Sequence, residues 1–137
     1  MNEGVYVMKI AVAGVGYVGL VTAVTLADVG HDVICLDVDK GKLKMLAEGI
    51  SPIYEYGLEE LMLKNRERLE FTDDVTKYSE AQVIIIGVGT PEKEDGSADL
   101  SAVFSVADSI ADNCSDEAVV AVKSTVPIGT CESVRRR

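Results

Sequence analysis

The stretch Met8-Lys9-Ile10-Ala11-Val12-Ala13-Gly14-Val15-Gly16-Tyr17-Val18-Gly19 decides the fold of this 137-residue chain. It joins a short apolar run to a helical pattern through three glycines spaced as GxGxxG, and the next apolar run ends at Asp37. A strand, a glycine loop, a helix and a later acid form the layout of a dinucleotide-binding βαβ unit. The sequence therefore predicts an α/β fold, a Rossmann-type doubly wound parallel sheet in three α/β/α layers.

Each residue of the glycine loop has its own predicted task. Gly14 lets the chain turn sharply out of the strand, and Gly16 leaves room for a pyrophosphate against the backbone. Gly19 lets the helix pack close to the strand. Tyr17 and Val18 open the helix, whose free N–H groups and positive dipole end favour phosphate. A βαβ unit that binds nothing uses the same glycines as a plain turn, and this is the alternative.

Asp37 predicts which dinucleotide is bound. A carboxylate at the end of the second strand accepts hydrogen bonds from the ribose hydroxyls, and its charge repels a 2′-phosphate, so NAD is favoured over NADP. Lys42 lies close by in the sequence, and a cation there is able to hold a phosphate. The alternative for Asp37 is a turn or cap residue before a helix that starts near Asp39.

The rest of the chain alternates strand and helix patterns, which favours parallel pairing with crossover helices. Strands are predicted at 9–13, 31–36, 69–71, 83–86 and 119–122, and helices from Leu20 to Gly30, around 43–50, around 58–62 and at 100–111. We expect 83–86 to lie centrally in the sheet, 119–122 to be buried, Asp99 to cap the fourth helix, and a further helix to start near Arg135-Arg136-Arg137.

Two loops that follow predicted strands carry further candidate residues. Gly87-Val88-Gly89-Thr90-Pro91 borders the expected crevice at the switch point, where Thr90 offers a hydroxyl and a backbone N–H to a cofactor. Lys123-Ser124-Thr125-Val126-Pro127-Ile128-Gly129-Thr130 ends its strand in small hydroxyl residues, which suits a site near a nicotinamide. Capping by Ser124 or Thr130 remains an equal alternative.

Composition narrows the class of protein. The formal net charge of −10 argues against nucleic acid or an anionic membrane as a partner, and the longest apolar runs are strand-sized. Three distant cysteines and a single histidine predict no metal site and reduced thiols in a cytoplasmic protein. Residues 1–7 lack the features of a signal peptide and are expected to be a short extension before a fold proper at 8–137.

Five motifs in this order, GVGYVGL, LDVD followed by Lys42, SPIYEYGLEEL, GVGTPEKEDGSADLS and KSTVPIGT, resemble the N-terminal domain of the UDP-glucose/GDP-mannose dehydrogenase family. The resemblance covers nearly all of the chain from Met8 onward. Ile53-Tyr54-Glu55-Tyr56-Gly57-Leu58 is similar to the YEPGL loop of the UDP-glucose branch, although Tyr56 stands where that loop has proline.

The resemblance implies an enzyme that oxidises the C6 alcohol of a nucleotide sugar, UDP-glucose in that branch, to a carboxylate with two NAD+ in succession. A cysteine holds the sugar as a thiohemiacetal and then a thioester. By motif, the backbone from Gly14 to Gly19 cradles the pyrophosphate, and Asp37 and Lys42 hold the adenosine ribose. Thr90 lines the NAD site. Thr125 lies by the nicotinamide in a supporting catalytic role.

The chain also lacks the segment in which the family carries its nucleophile. The family's nucleophile lies in a GGxCxxKD-type segment of a C-terminal UDP-sugar domain, and Cys35, Cys114 and Cys131 do not match it. We therefore expect the cofactor half of a longer, homo-oligomeric enzyme, inactive alone. The alternatives are a sibling dehydrogenase for UDP-N-acetylmannosamine or GDP-mannose, another hydroxyl dehydrogenase, and a non-catalytic NAD-sensing regulatory module.

Overall fold

A five-stranded sheet is the centre of the structure, a computed structural model that describes residue 4 and residues 6–137. The strands are β1 (Lys9–Ala13), β2 (Asp32–Leu36), β3 (Leu69–Thr72), β4 (Val83–Ile86) and β5 (Val119–Val122). They lie in the order β3-β2-β1-β4-β5, and every neighbouring pair is parallel. The chain runs outward from β1 to β3 and then crosses back to β4, so the order reverses between β1 and β4. This is the doubly wound arrangement predicted from the sequence.

Helices connect the strands. They are α1 (Tyr17–Asp28), α2 (Lys40–Ala47), α3 (Leu58–Lys64), α4 (Ser101–Asn113) and α5 (Thr130–Arg135). Short 3₁₀ turns at Arg66–Arg68 and Val75–Glu80 lead into and out of β3. Asp39 caps α2, because its side chain accepts a hydrogen bond from the N–H of Lys42 at 3.1 Å. None of the helices in the described part of the chain is long and apolar enough to cross a bilayer.

Alternating side chains on the inner strands build two cores. Ile10 and Val12 of β1 pack on one face of the sheet with α1 and α3, whereas Ala11 and Ala13 pack on the other face with α4. Successive residues of a strand point to opposite faces, so a strand that is apolar throughout must be covered on both sides. The three-layer architecture follows from this, and the predicted fold class is confirmed.

Three predictions of detail were wrong or displaced. β5 is not a buried strand: Val119 and Val120 are exposed, because no described strand pairs with its outer edge. The last helix begins at Thr130 rather than near Arg135. The residue at the cap position of α4 is Leu100, although the carboxylate of Asp99 accepts a hydrogen bond from the N–H of Ser101 at 2.9 Å.

The predicted extension at 1–7 lies mainly outside the described residues, which exclude 1–3 and 5.

Backbone packs directly on backbone where α1 meets the sheet. Gly14 has a positive φ of 97°, which favours glycine, and this conformation turns the chain out of β1. A Cβ placed on Gly19 would overlap the carbonyl oxygen of Gly14 and lie 2.8 Å from its carbonyl carbon. A Cβ on Gly87, after β4, would lie 3.2 Å from the Cα of Gly19. The tasks predicted for Gly14 and Gly19 are both visible in this contact.

We expect Gly19→Ala to lower the free energy of unfolding by about 1–3 kcal/mol or more, because overpacking against rigid backbone forces the helix away from the sheet. Urea unfolding followed by circular dichroism measures the change. Gly16→Ala is the matched control, since a Cβ on Gly16 meets no atom within 4 Å. Equal stability of the two variants would contradict the close-packing argument.

Candidate functional site: a crevice at the carboxyl edge of the sheet

The loops that follow β1, β2, β4 and β5 meet at one edge of the sheet. All these strands are parallel, so their carboxyl ends share this edge, and the order of the strands reverses here between β1 and β4. Crevices of this kind are where open α/β sheets bind ligands. A ligand bound in this crevice contacts the residues that reach this edge of the sheet.

The first turn of α1 presents unpaired donors to the crevice. The N–H of Gly14 donates to the carbonyl of Leu36 at 2.8 Å, and the N–H of Val15 donates to Asp37. The following four N–H groups have no acceptor among the described residues; they belong to Gly16, Tyr17, Val18 and Gly19. No side chain caps α1 and no acidic residue lies in its first turn. Consecutive free donors at a positive dipole end make a site for an anion.

Gly16 leaves open space in front of these donors. A Cβ on Gly16 would meet no atom within 4 Å, unlike one on Gly14 or Gly19. The backbone of Gly16 is in an ordinary extended conformation, with φ −71° and ψ −167°. Glycine is therefore not required here by the fold of the protein itself. The absent side chain is explained if a ligand lies against the backbone.

Asp37 is held at the end of β2 by two backbone amides. Its Oδ2 accepts from the N–H of Val15 at 2.9 Å, and its Oδ1 accepts from the N–H of Asp39 at 2.9 Å. The second bond is the turn contact weighed as the alternative to ribose binding, so the turn role is real. Each carboxylate oxygen accepts more than one hydrogen bond, so both retain acceptor capacity toward a ligand. Asp37 thus fixes the glycine loop while facing the crevice.

A cavity of about 250 Å³ opens beside Asp37. It is bounded by Gly14 and Asp37 from the predicted set, together with residues that the sequence analysis did not single out. These are chiefly Val38, Asp73, Val75, Tyr78, Ala102, Ser105, Val106 and Ser109, and Val88 comes from the predicted loop after β4. Ala102, Ser105 and Ser109 recur at helical spacing on α4, away from its buried Val103, Ala107 and Ile110. This stripe of small residues on one face of α4 is the sequence feature from which the cavity wall could have been predicted.

Hydrogen bonds tie together the loops after β4 and β5. The hydroxyl of Thr90 donates to the carbonyl of Thr125 at 2.8 Å, and the hydroxyl of Ser124 donates to the carbonyl of Val88 at 2.7 Å. Neither Ser124 nor Thr130 caps α5, whose cap position is Gly129 without a side-chain bond. The capping alternative is therefore wrong. The structure brings Thr90 and Thr125 into direct contact at the crevice edge.

A further contact joins the glycine loop to the loop between α2 and α3. The hydroxyl of Tyr17 donates to Oε2 of Glu55 at 2.6 Å. This hydrogen bond, with the charge of Glu55, raises the pKa of Tyr17 above its ordinary value. Tyr54 and Tyr56, on either side of Glu55, are exposed. Sequence spacing gave no sign that these loops touch, because the partners are 38 residues apart.

Lys42 and the three cysteines do not line the cavity. Lys42 is in the first turn of α2 and does not contribute to the cavity wall. The cysteines are also elsewhere: Cys35 is buried in the core beneath α1, and Cys114 and Cys131 line a groove between α4, α5 and β5. Burial raises the pKa of the Cys35 thiol to about 12. The described residues form no cluster of metal-ligating side chains.

The chain matches known proteins over nearly its full length. Residues 8–137 match the family model described as the NAD binding domain of the UDP-glucose/GDP-mannose dehydrogenase family. UDP-glucose 6-dehydrogenase of Rhizobium meliloti is 50% identical over 133 residues, which cover 94% of this chain and 30% of that protein.

Two solved structures agree with this match. A UDP-glucose dehydrogenase from Pyrobaculum islandicum superposes with a TM-score of 0.90 at 35% identity, covering 99% of this chain and 34% of that one. A GDP-mannose dehydrogenase from Pseudomonas aeruginosa superposes with a TM-score of 0.88 at 39% identity, covering 93% of this chain and 30% of that one. The chain thus spans about 30% of the length of the curated relative it matches.

We expect Gly16→Ala to lower the unfolding free energy by no more than about 1 kcal/mol, because the new methyl group meets open space and only the preference of the cap position for glycine over alanine is lost. The same variant is expected to lose at least about 10-fold in affinity for NAD+, because the methyl occupies the volume of a diphosphate oxygen. Calorimetric titration and urea unfolding measure the two quantities. Unchanged NAD+ affinity would show that the diphosphate lies elsewhere.

Proposed function

The chain belongs to the UDP-glucose/GDP-mannose dehydrogenase family, and we propose that it is the NAD-binding part of a UDP-glucose 6-dehydrogenase. In this proposal residues 8–137 form the cofactor domain, and the sugar is bound by a further domain of a longer polypeptide. The whole enzyme oxidises UDP-glucose to UDP-glucuronate with two NAD+. The observation that carries the proposal is the row of free donors from Gly16 to Gly19 beside the Asp37 cavity.

The crevice fits the two polar parts of the adenosine diphosphate moiety. The free N–H groups at the start of α1 bind the diphosphate, with Gly16 providing the room for close approach. Asp37 accepts from the ribose hydroxyls with the acceptor capacity left by its two amide partners. Lys42 adds a positive charge on the outer side of the ribose in this proposal. The apolar wall of the cavity receives the base.

The linked loops after β4 and β5 take the nicotinamide half. Bound NAD+ supplies a hydride acceptor, and the protein supplies its placement. Because the hydroxyl of Thr90 donates to the carbonyl of Thr125, the two loops hold a fixed separation at the crevice edge. We assign to Thr125 the positioning of groups around the reacting carbon. The hydroxyl of Thr90 retains acceptor capacity for the cofactor.

Similarity to known proteins favours UDP-glucose as the substrate of the whole enzyme in this proposal. The 50% identity to a UDP-glucose 6-dehydrogenase supports it. A GDP-mannose dehydrogenase matches at 39% identity and nearly the same TM-score, so the fold of this domain alone does not separate these substrates. A GDP-mannose enzyme is therefore the second candidate. Assay of the full-length gene product with UDP-glucose, UDP-N-acetylmannosamine and GDP-mannose separates them, and preference for another sugar would reject the first proposal.

Replacing Asp37 tests the cofactor assignment. We expect Asp37→Asn to weaken NAD+ binding about 10-fold or more and to narrow the preference for NAD+ over NADP+, since a charged acceptor and the repulsion of a 2′-phosphate are both lost. Titration calorimetry with both nucleotides measures this. Asp39→Asn is the matched control, because asparagine caps a helix as well as aspartate. Tighter binding of NADP+ than NAD+ by the unmodified chain would contradict the assignment.

The 137-residue chain is expected to bind NAD+ but to form no NADH with UDP-glucose. In this proposal the domain that holds UDP-glucose against the nicotinamide lies outside the 137 residues, so no hydride donor is positioned for the first oxidation. In addition, no described cysteine lines the crevice to carry the second oxidation through a thioester. Spectrophotometric detection of NADH from purified protein of confirmed mass is the measurement. Turnover by this material would overturn the proposed division of the enzyme.

A further inference from the structure

Tyr78 is a buried tyrosine at the floor of the crevice. It lies in the 3₁₀ turn Val75–Glu80 that connects β3 with β4, and only 2% of its surface is exposed. Its ring belongs to the core on the α4 side of the sheet, together with Ala13 and Leu36 from the ends of β1 and β2. Phenylalanine fills such a position equally well. The hydroxyl therefore needs its own explanation.

The hydroxyl of Tyr78 opens into the cavity beside Asp37. It makes no hydrogen bond to any residue that the structure describes. In that same part of the chain, every side-chain nitrogen or oxygen that is sealed from solvent has a partner. The Tyr78 oxygen is therefore not sealed, and the cavity that Tyr78 lines with Gly14 and Asp37 is where it reaches the surface. A hydroxyl that faces a cavity without a protein partner is expected to form a hydrogen bond with a ligand or with water.

The hydroxyl is a neutral donor at physiological pH. Burial, and next to it the charge of Asp37, raise the pKa of Tyr78 to about 12. The O–H proton is therefore retained, and an acceptor placed in the cavity is the natural partner. The rest of the wall is mostly apolar, with Val38, Val75 and Val106 among its residues. The other polar side chains of the wall are Asp37, Asp73, Ser105 and Ser109, and among these described lining residues only the two serines carry further hydroxyl donors.

The cavity suits one half of a dinucleotide. Its volume of about 250 Å³ is below the range of about 300–1,000 Å³ typical of pockets for whole ligands. It adjoins Asp37, the acid expected at the adenosine ribose. Adenosine presents ring nitrogens and ribose oxygens as acceptors and a flat apolar face to the valines. These properties match the wall and its single buried phenol.

We propose that Tyr78 is a cofactor-binding residue, whose O–H donates a hydrogen bond to the adenosine half of NAD in the cavity beside Asp37. The proposal rests on the proposed function, because it needs NAD to occupy the crevice. It adds to the glycine loop and the acid a third point of recognition, contributed by the connection between β3 and β4. That connection is otherwise remote from the nucleotide-binding motif in sequence.

Tyr78→Phe tests the proposal by removing one oxygen atom. We expect the affinities for NAD+ and for AMP each to fall by the same factor, about 3- to 10-fold, because both ligands contain the adenosine that receives the bond. The unfolding midpoint is expected to stay equal or rise, since the Tyr78 hydroxyl makes no hydrogen bond to the described residues and its removal costs the fold no contact. Calorimetric titration and thermal unfolding of the 137-residue protein measure these quantities. Tyr54→Phe is the control, because Tyr54 is 96% exposed.

Three results would overturn the proposal. The first is unchanged NAD+ and AMP affinity in Tyr78→Phe. The second is a loss confined to NAD+, which would place the contact outside adenosine. The third is a lowered unfolding midpoint, which would assign the hydroxyl to the fold. If the unmodified chain binds no NAD+, the proposed function fails as well, so that result is distinguishable from failure of the Tyr78 contact alone.

Discussion

Contact of bare backbone between α1 and the sheet is the constraint on which the rest of the structure depends. Without side chains on Gly14 and Gly19, the first turn of α1 lies directly over the end of β1, and Gly87 gives the same freedom beside β4. This closeness fixes where the helix begins and where its free N–H groups point. A helix held further out by one methyl group would place the same donors away from the switch point. Packing and binding therefore share one cause.

Asp37 extends this constraint from the first strand to the second. Its two oxygens hold the N–H of Val15 in the glycine loop and the N–H of Asp39 ahead of α2. The carboxylate is thus oriented before any ligand arrives, and little conformational freedom remains to be lost on binding. The turn role and the ribose role are compatible for this reason. A residue that did only one of them would leave either the loop loose or the crevice without its acid.

The sequence predicted the parts of the fold that depend on local pattern. The conformation of the apolar run Val83–Ile86 can be predicted from its sequence, because a strand buried on both faces requires apolar residues throughout. The conformation of the glycine loop can be predicted as well, because its sharp turn requires glycine. Exposure of Val119 could not be read from its strand, since it depends on which strand lies beside it. The start of α5 at Thr130 was missed because proline and glycine directly before it suggest a loop.

Contacts between loops that are distant in sequence could not be predicted from the spacing of residues. The bond from Tyr17 to Glu55 and the bond from Thr90 to Thr125 join residues more than 30 positions apart. The glycine motif indicates that the ligand is a dinucleotide, whereas these contacts between loops set the shape of the crevice. Tyr78 is the clearest case. In the sequence, a tyrosine after a short strand is typical of an ordinary core residue, and only the structure shows that Tyr78 lines a cavity.

The crevice is suited to holding a ligand in place, and none of the described residues that line its cavity is a cysteine. The described thiols lie away from it, and the one that is fully buried has a pKa far above neutrality, so none supplies a thiolate to a ligand in the cavity. Free amides, a pre-oriented carboxylate and hydroxyls leave a bound cofactor chemically untouched. Any reaction of a bound cofactor therefore needs a reactant that these residues do not supply, and the hydrogen bond from Thr90 to Thr125 leaves the two loops in contact at the edge of the crevice.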